Sequence, residues 1–167
     1  ITTEVIMRNV VWALLPVCAF SFYAFGISAL LLIFATTASC IITESVVCRF
    51  SGRVNSIHDC SAVITGVLLG LTLPPCFPMW MGAAGGVASI LLGKAIFGGL
   101  GHNIFNPALV GRAFLQAAFP VAITTWTPAF IPGRFASCIP STLTWPFLKP
   151  AWDAVKAYSA HAGIDGW

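Results

Sequence analysis

Charged residues are scarce in this sequence, at 8% of 167 residues, whereas a soluble domain carries about 25%. Apolar residues make up 58% of the chain. A water-facing fold of this length does not hide that much apolar surface. The composition therefore excludes an ordinary soluble domain and predicts an all-α integral membrane protein.

Several kinds of motif are also missing. The net charge is only +3 and there is no basic run, which argues against a nucleic-acid partner. The six cysteines form no C-x-x-C pair, so we interpret them as small apolar residues, not as a metal site or a disulfide framework. No Ser/His/Asp or Cys/His set is present, and G-G-L-G follows no predicted strand. The sequence therefore argues against a free-standing hydrolase and against a Rossmann-type nucleotide site.

The apolar runs that are present predict five membrane helices: Val10–Phe25, Ile27–Cys48, Ser61–Leu73, Phe77–Phe97, and Pro107 to about Ala122. The first is a short span, and the third would be only about 20 Å long. This third helix is predicted either to be tilted or to end inside the protein as a half-helix. In the fourth, the spacings Gly82/Gly86 and Gly85/Ser89 predict close approach of neighbouring helices.

The C-terminal part differs in composition. Residues 123–167 hold five of the 11 prolines and four of the six tryptophans, without a run long enough to span a membrane. We therefore predict a membrane repeat over 1–122 and an extramembrane segment over 123–167. With five crossings, one side of the membrane receives Arg8, Arg49, Arg53 and Lys94, which makes that side cytoplasmic and places 123–167 outside.

The stretch Gly93–Arg112 (G-K-A-I-F-G-G-L-G-H-N-I-F-N-P-A-L-V-G-R) places polar groups and bendable backbone in the most apolar part of the chain. Such backbone is tolerated at membrane depth only where it is buried in protein or lines a cavity. We interpret this stretch as the wall of a cofactor or ion site. Lys94 and Arg112 are candidate cations beside a bound anionic group, or simple positive-inside anchors.

Three other polar residues have two interpretations each. Asn103 and Asn106 either hydrogen-bond a ligand or only cap the turn, and Asn106-Pro107 resembles a helix N-cap followed by Pro at the first helical position. Glu44 interrupts the second apolar run. It is either a carboxylate beside an ion path or one that reaches the membrane surface.

Three motifs carry a family resemblance: D-C-S-A-V-I-T-G-V-L-L-G-L-T-L-P-P (59–75), G-K-A-I-F-G-G-L-G-H-N-I-F-N-P-A-L-V-G-R-A-F-L (93–115) and F-P-V-A-I-T-T-W (119–126). They closely resemble the membrane protein shared by two ion-pumping redox complexes. It is called RnfD in the Rnf complex and NqrB in the sodium-translocating NADH:quinone reductase (Nqr). G-G-L-G-H-N and F-P-V-A-I-T-T-W are more similar to the Rnf branch.

The resemblance implies the first half of an inverted-repeat, urea-transporter-like fold in a bacterial inner membrane, assembled with other membrane and peripheral subunits. It implies a translocase component, not catalytic alone, that passes electrons between flavins while Na+ or H+ crosses. By resemblance, Thr65, Lys94, Asn103 and Asn106 contact a non-covalent riboflavin, and Glu44 matches an acidic residue associated with ion passage. An Nqr-type protein and a non-redox channel of the same fold are the alternatives.

The resemblance also implies an FMN joined covalently to a Thr on the outer side. In the family this Thr belongs to Ser-Gly-Ala-Thr, which follows Asp-Gly-x. Our chain ends at Asp165-Gly166-Trp167, so we expect it to be a fragment and the FMN-bearing Thr to lie beyond Trp167.

Overall fold

The computed structural model describes residues 3–51, 60–97, 105–127, 129–130, 135 and 140–143. Every regular element in these ranges is helical, which confirms the all-α prediction for them. The α-helices are α1 (Thr3–Phe25), α2 (Ile27–Ser51), α3 (Ser61–Thr72), α4 (Met79–Ile90), α5 (Pro107–Ala118) and α6 (Pro120–Thr124). A π-helical segment, Leu91–Ala95, continues α4, and a 3-10 turn covers Pro140–Leu143.

Among the described helices, α1 and α2 have the length and apolar composition to cross a membrane. Their 23 and 25 residues correspond to about 35 and 38 Å at 1.5 Å per residue. The predicted short first span is wrong: α1 begins at Thr3 instead of Val10, because no Pro or Gly interrupts the residues before Val10. α3, α4 and α5 have 12 residues each, so the five crossings stay a prediction.

The helix ends are determined by a glycine, a pair of prolines and one capping side chain. Gly26 has φ 76 and donates its N–H to Phe22 O at 2.8 Å, which ends α1 in a left-handed turn. α3 stops where Leu73 becomes extended in front of Pro74-Pro75. At the start of α5, the Asn106 side chain accepts from Ala108 N–H at 3.1 Å, which confirms the predicted cap.

α5 is shorter than predicted. It ends at Ala118 instead of about Ala122, and Phe119 adopts φ −135 and ψ 60. Pro120 explains the difference, because it disfavours helical backbone in the preceding residue and has no N–H of its own. The chain then resumes as α6, so the predicted boundary between residues 122 and 123 falls inside this short helix.

α2 is the centre of the bundle. Six of its buried residues recur every four positions, Ser28, Leu32, Thr36, Cys40, Glu44 and Cys48, and Ala29 and Ile33 lie beside them. α3 lies so close that a Cβ added at Gly66 would be 2.4 Å from Thr37 Cα. On α4, Gly82 and Gly86 face α2 while Gly85 and Ser89 face α5. The predicted close helix contacts are therefore confirmed.

The two ends of the bundle differ. At one end, hydrogen bonds join the last turn of α1 and the turn after α3 to the chain beyond α6: Phe130 N–H to Ala24 O (2.8 Å), Cys76 Sγ to Thr125 O (3.1 Å) and Thr142 Oγ1 to Pro75 O (3.2 Å). This end gathers the segments that the sequence places on one side of the membrane. The opposite end holds the last turns of α2 and the first turn of α3, and the polar site lies there.

Candidate functional site

Glu44 lies inside the bundle, not at its surface. It occupies the buried face of α2, four residues after Cys40 and four before Cys48, and only 2% of it is exposed. Residues four apart lie on one face of a helix. The packing that buries the neighbouring residues therefore also buries this carboxylate, and a carboxylate reaching the membrane surface does not fit the structure.

Lys94 is the partner of Glu44. It lies in the π-helical segment, is 5% exposed, and forms an ion pair with Glu44 Oε1. Its ammonium also donates to Ser61 Oγ at 2.6 Å. A π-helix fits an extra residue into one turn, and such segments are frequent at functional sites. Here the π-helical segment carries a lysine into the bundle, so the interpretation of Lys94 as a surface anchor does not fit either.

Within the part of the chain that the structure describes, the pair does not use all of its donors and acceptors. A lysine ammonium has three N–H donors, and the hydrogen bonds to Glu44 Oε1 and Ser61 Oγ take two of them. The second carboxylate oxygen, Glu44 Oε2, is buried without a hydrogen-bond partner among the described residues. Leaving a buried polar atom unpaired costs about 1–3 kcal/mol. With respect to the described residues, the site therefore has spare capacity for one acceptor and one donor from a ligand, an ion or water.

Thr65 lies one helical turn beyond Ser61, and it is 7% exposed. Its Oγ1 donates to Ser61 O at 2.9 Å, while the hydroxyl of the same Ser61 accepts from Lys94. The Thr65 hydrogen bond stays within α3, and Ser61 is the residue of α3 that contacts Lys94. The residue before α3, Cys60, has φ 54, a left-handed conformation that turns the chain sharply into this helix.

The other predicted cofactor contacts have no described contact with the Glu44–Lys94 pair. Asn106 is exposed and uses its side-chain oxygen to cap α5, but the start of α5 does touch the π-helical segment. A Cβ added at Gly93 would lie 2.7 Å from Pro107 Cα. Arg112 is half-buried and has no hydrogen bond or ion pair with another described residue. Asn103 lies outside the described residues.

Ser61 and the pairing of Glu44 with Lys94 were not predicted from the sequence. A signal for the pair existed, because Glu44 continues the four-residue spacing of Thr36 and Cys40, and a buried carboxylate needs a cation. Ser61 had no comparable signal, since a serine at the start of a helix is usually interpreted as part of a cap.

The described residues thus define a helical membrane protein with an ion pair buried at one end of its bundle. The sequence model of the NQR2, RnfD, RnfE family matches residues 1–164. The chain therefore belongs to this family, as the resemblance of its motifs indicates.

Three curated relatives show what the chain is similar to, and each is the component designated D of its complex. The one from the ion-translocating oxidoreductase complex of Halorhodospira halophila is 39% identical over 90% of this chain and 43% of its own length. The one from the Na(+)-translocating ferredoxin:NAD(+) oxidoreductase complex of Acetobacterium woodii is 44% identical over 78% of this chain and 41% of its own. The one from the proton-translocating ferredoxin:NAD(+) oxidoreductase complex of Clostridium ljungdahlii is 43% identical over 73% of this chain and 37% of its own. The chain spans less than half the length of each of these relatives.

Proposed function

We propose that this chain forms part of the RnfD component of an Rnf-type ferredoxin:NAD oxidoreductase, a membrane complex that couples electron transfer between flavins to ion transport. Family membership and the names of the relatives support this proposal. The observation that carries it is the buried Glu44–Lys94 pair. Burying both charges is expensive unless they are well paired, so a buried pair is weak evidence for stability alone and points to a role in function.

Each member of the pair has a distinct role in this proposal. Glu44 keeps Oε2 open, so it can accept a proton or coordinate a monovalent cation in transit without first losing Lys94. Lys94 supplies a fixed positive charge, and a cation beside a flavin ring stabilises the reduced anionic form and raises its potential. The complex carries out the reaction, and this chain is not catalytic alone.

The donor set fits a non-covalent riboflavin. Among the described residues one N–H of Lys94 has no acceptor, and Thr65 lies one helical turn beyond Ser61, whose hydroxyl accepts from Lys94. The start of α5 beside the π-helical segment brings Asn106 to this end of the bundle. We propose that Thr65, Lys94, Asn103, Asn106 and Arg112 hold this riboflavin, which when bound accepts and donates electrons. We assign the covalent FMN to a Thr outside this sequence.

The coupling ion is not fixed by overall similarity. One relative is named for Na+ and another for protons, yet their identities to this chain are 44% and 43%. Na+ and H+ are therefore both retained as coupling ions in this proposal.

We place the protein in the bacterial inner membrane, with the ion-pair end of the bundle toward the cytoplasm. Arg49 lies at this end, in the last turn of α2, as the positive-inside rule expects. A Ser51→Cys variant should be labelled by a membrane-impermeant reagent from the cytoplasm and a Ser141→Cys variant from outside, in a background without other reactive thiols. The reverse labelling pattern would overturn this orientation.

The flavin assignment is tested on the full-length protein within its complex. Acid precipitation should release riboflavin and leave FMN on the protein, as measured by absorbance and mass spectrometry. Lys94→Met should lower the midpoint potential of the non-covalent flavin, because the cation beside it is gone. Arg8→Met is the matched control, since it removes an exposed cation on α1 and should leave the potential unchanged.

Two results contradict the proposal. A full-length protein without any flavin would favour the non-redox channel. Flavin present but with the same potential in Lys94→Met and Arg8→Met would retain the redox class and remove the electronic role of Lys94.

A further inference from the structure

Ser61 is the third member of the buried cluster that it forms with Glu44 and Lys94. It is the first residue of α3, is 7% exposed, and follows Cys60 with its left-handed backbone. Its hydroxyl oxygen lies 2.6 Å from Lys94 Nζ and accepts a hydrogen bond from it. This is a charge-assisted hydrogen bond, which is about twice as strong as a neutral one.

The position of the ammonium follows from this bond. Lys94 is held between two helices, by Glu44 on α2 and by Ser61 on α3. Glu44 Oε2 is the competing acceptor, and it has no partner among the described residues. With Ser61 as second acceptor, the ammonium is drawn toward α3 and one carboxylate oxygen stays open. Without that hydroxyl, Oε2 is the acceptor left open on the carboxylate that Lys94 already contacts, so the ammonium can turn to it.

We propose that Ser61 is a positioning residue that holds the Lys94 ammonium on the α3 side of the ion pair and thereby keeps Glu44 Oε2 open. This inference rests on the proposed function, in which Thr65 on α3 lies against a flavin. On that basis Ser61 fixes how strongly the Lys94 charge acts on the flavin, and it leaves Glu44 free to accept a proton or a cation.

The consequence of removing the hydroxyl has a definite sign. In Ser61→Ala the ammonium turns toward Oε2, away from α3, so its field at the flavin weakens. The midpoint potential of the non-covalent flavin should shift to more negative values, by less than in Lys94→Met, which removes the charge altogether. Ser61→Thr keeps a hydroxyl at the same Cβ and should recover most of the shift.

The experiment measures this potential by redox titration of the complete complex carrying Ser61→Ala, Ser61→Thr or Ser45→Ala. Ser45 is the matched control, because its hydroxyl donates to Ile41 O of its own helix at 2.7 Å and takes no part in the pair. If Ser61→Ala fails to assemble, Ser61→Cys replaces it, since a thiol is similar in size and only a weak acceptor.

A second readout needs no flavin. The thermal midpoint is measured for Ser61→Ala in the native background and in a background where the pair is replaced by Glu44→Leu and Lys94→Met. The substitution should lower Tm in the native background and leave it unchanged or higher in the neutral background, where no ammonium needs the hydroxyl. Such a cycle isolates the interaction between Ser61 and the pair.

The outcomes separate this inference from the function on which it rests. An unshifted potential in Ser61→Ala, with flavin bound and Lys94→Met shifted, overturns the positioning role alone. Equal Tm losses in both backgrounds overturn it as well. A wild-type complex without flavin overturns the proposed function together with the electrostatic role of Ser61.

Discussion

α1 and α2 have almost the same length and are both apolar enough to cross a membrane, yet they have opposite surroundings. α1 buries only Ala24, whereas α2 buries eight residues, among them Thr36 and Glu44. Both helices pass the same test of length and apolar composition, so that test does not distinguish an outer helix from one at the centre of a bundle. The difference lies in the neighbours: glycines of α3 and α4 pack against α2 and bury one of its faces, whereas α1 leaves residues such as Trp12 and Phe20 exposed.

The largest effect should come from breaking the charge pair at the buried end of α2. Lys94→Met alone leaves a buried carboxylate without a partner, which costs about 3–5 kcal/mol. Glu44→Leu alone leaves a buried ammonium and should cost as much. The double variant removes both charges and should recover most of the loss in the free energy of unfolding. Thermal unfolding of the full-length protein in detergent measures this, and a double variant as unstable as the sum of the singles contradicts the pairing.

A smaller effect is expected where α3 touches α2. Gly66→Ala would bring a Cβ to 2.4 Å from Thr37 Cα, and backbone cannot move aside as a flexible side chain does. Overpacking of this kind costs about 1–3 kcal/mol. The matched control is Ala13→Leu on α1, at an exposed position, which should leave Tm nearly unchanged. Equal losses for both substitutions would show that α1 is packed as closely as α2.

A smaller loss of stability is expected when the Thr36 hydroxyl is removed from the same face of α2. Thr36 Oγ1 lies 3.0 Å from Gly66 O, and it also contacts the carbonyls of Leu32 and Ile33 within its own helix. Thr36→Val keeps the shape and removes the bond, so we expect a loss of about 1 kcal/mol. Thr43→Val is the control, because its hydroxyl bonds to Ser39 O of the same helix. An equal loss in both variants would show that the contact with α3 contributes nothing.

The smallest effect is expected on α1. Trp12 is 66% exposed, so Trp12→Leu should change stability by no more than about 0.5 kcal/mol in detergent. A large loss of Tm in the isolated protein would mean that α1 packs against protein there. A loss confined to the assembled complex would instead identify this face of α1 as a contact with another component of the complex.

Much of the fold could be predicted from local chemistry. The turn at Gly26, the break at Pro74-Pro75 and the cap at Asn106 are confirmed, because each depends on the backbone preference of one or two residues. The end of α5 was misplaced although Pro120 carries the same kind of signal. The helix end was predicted from the apolar run, which continues through Ala122, although Pro120 ends α5 at Ala118.

The candidate site was only partly predictable. The sequence alone indicated Glu44 and Lys94, since no periodicity is needed to see a charge among lipid-like side chains, whereas Thr65 was predicted only through the family resemblance. Tertiary structure decided that Lys94 pairs with Glu44, 50 positions away in sequence. It also decided that Ser61 accepts a hydrogen bond from the same ammonium. The π-helical segment sets the direction of the Lys94 side chain, and close packing of α2 with α3 sets the distances. Composition determined that the protein belongs in a membrane, but only packing decided which charges meet, because a buried charge takes its partner from whatever helix is brought beside it.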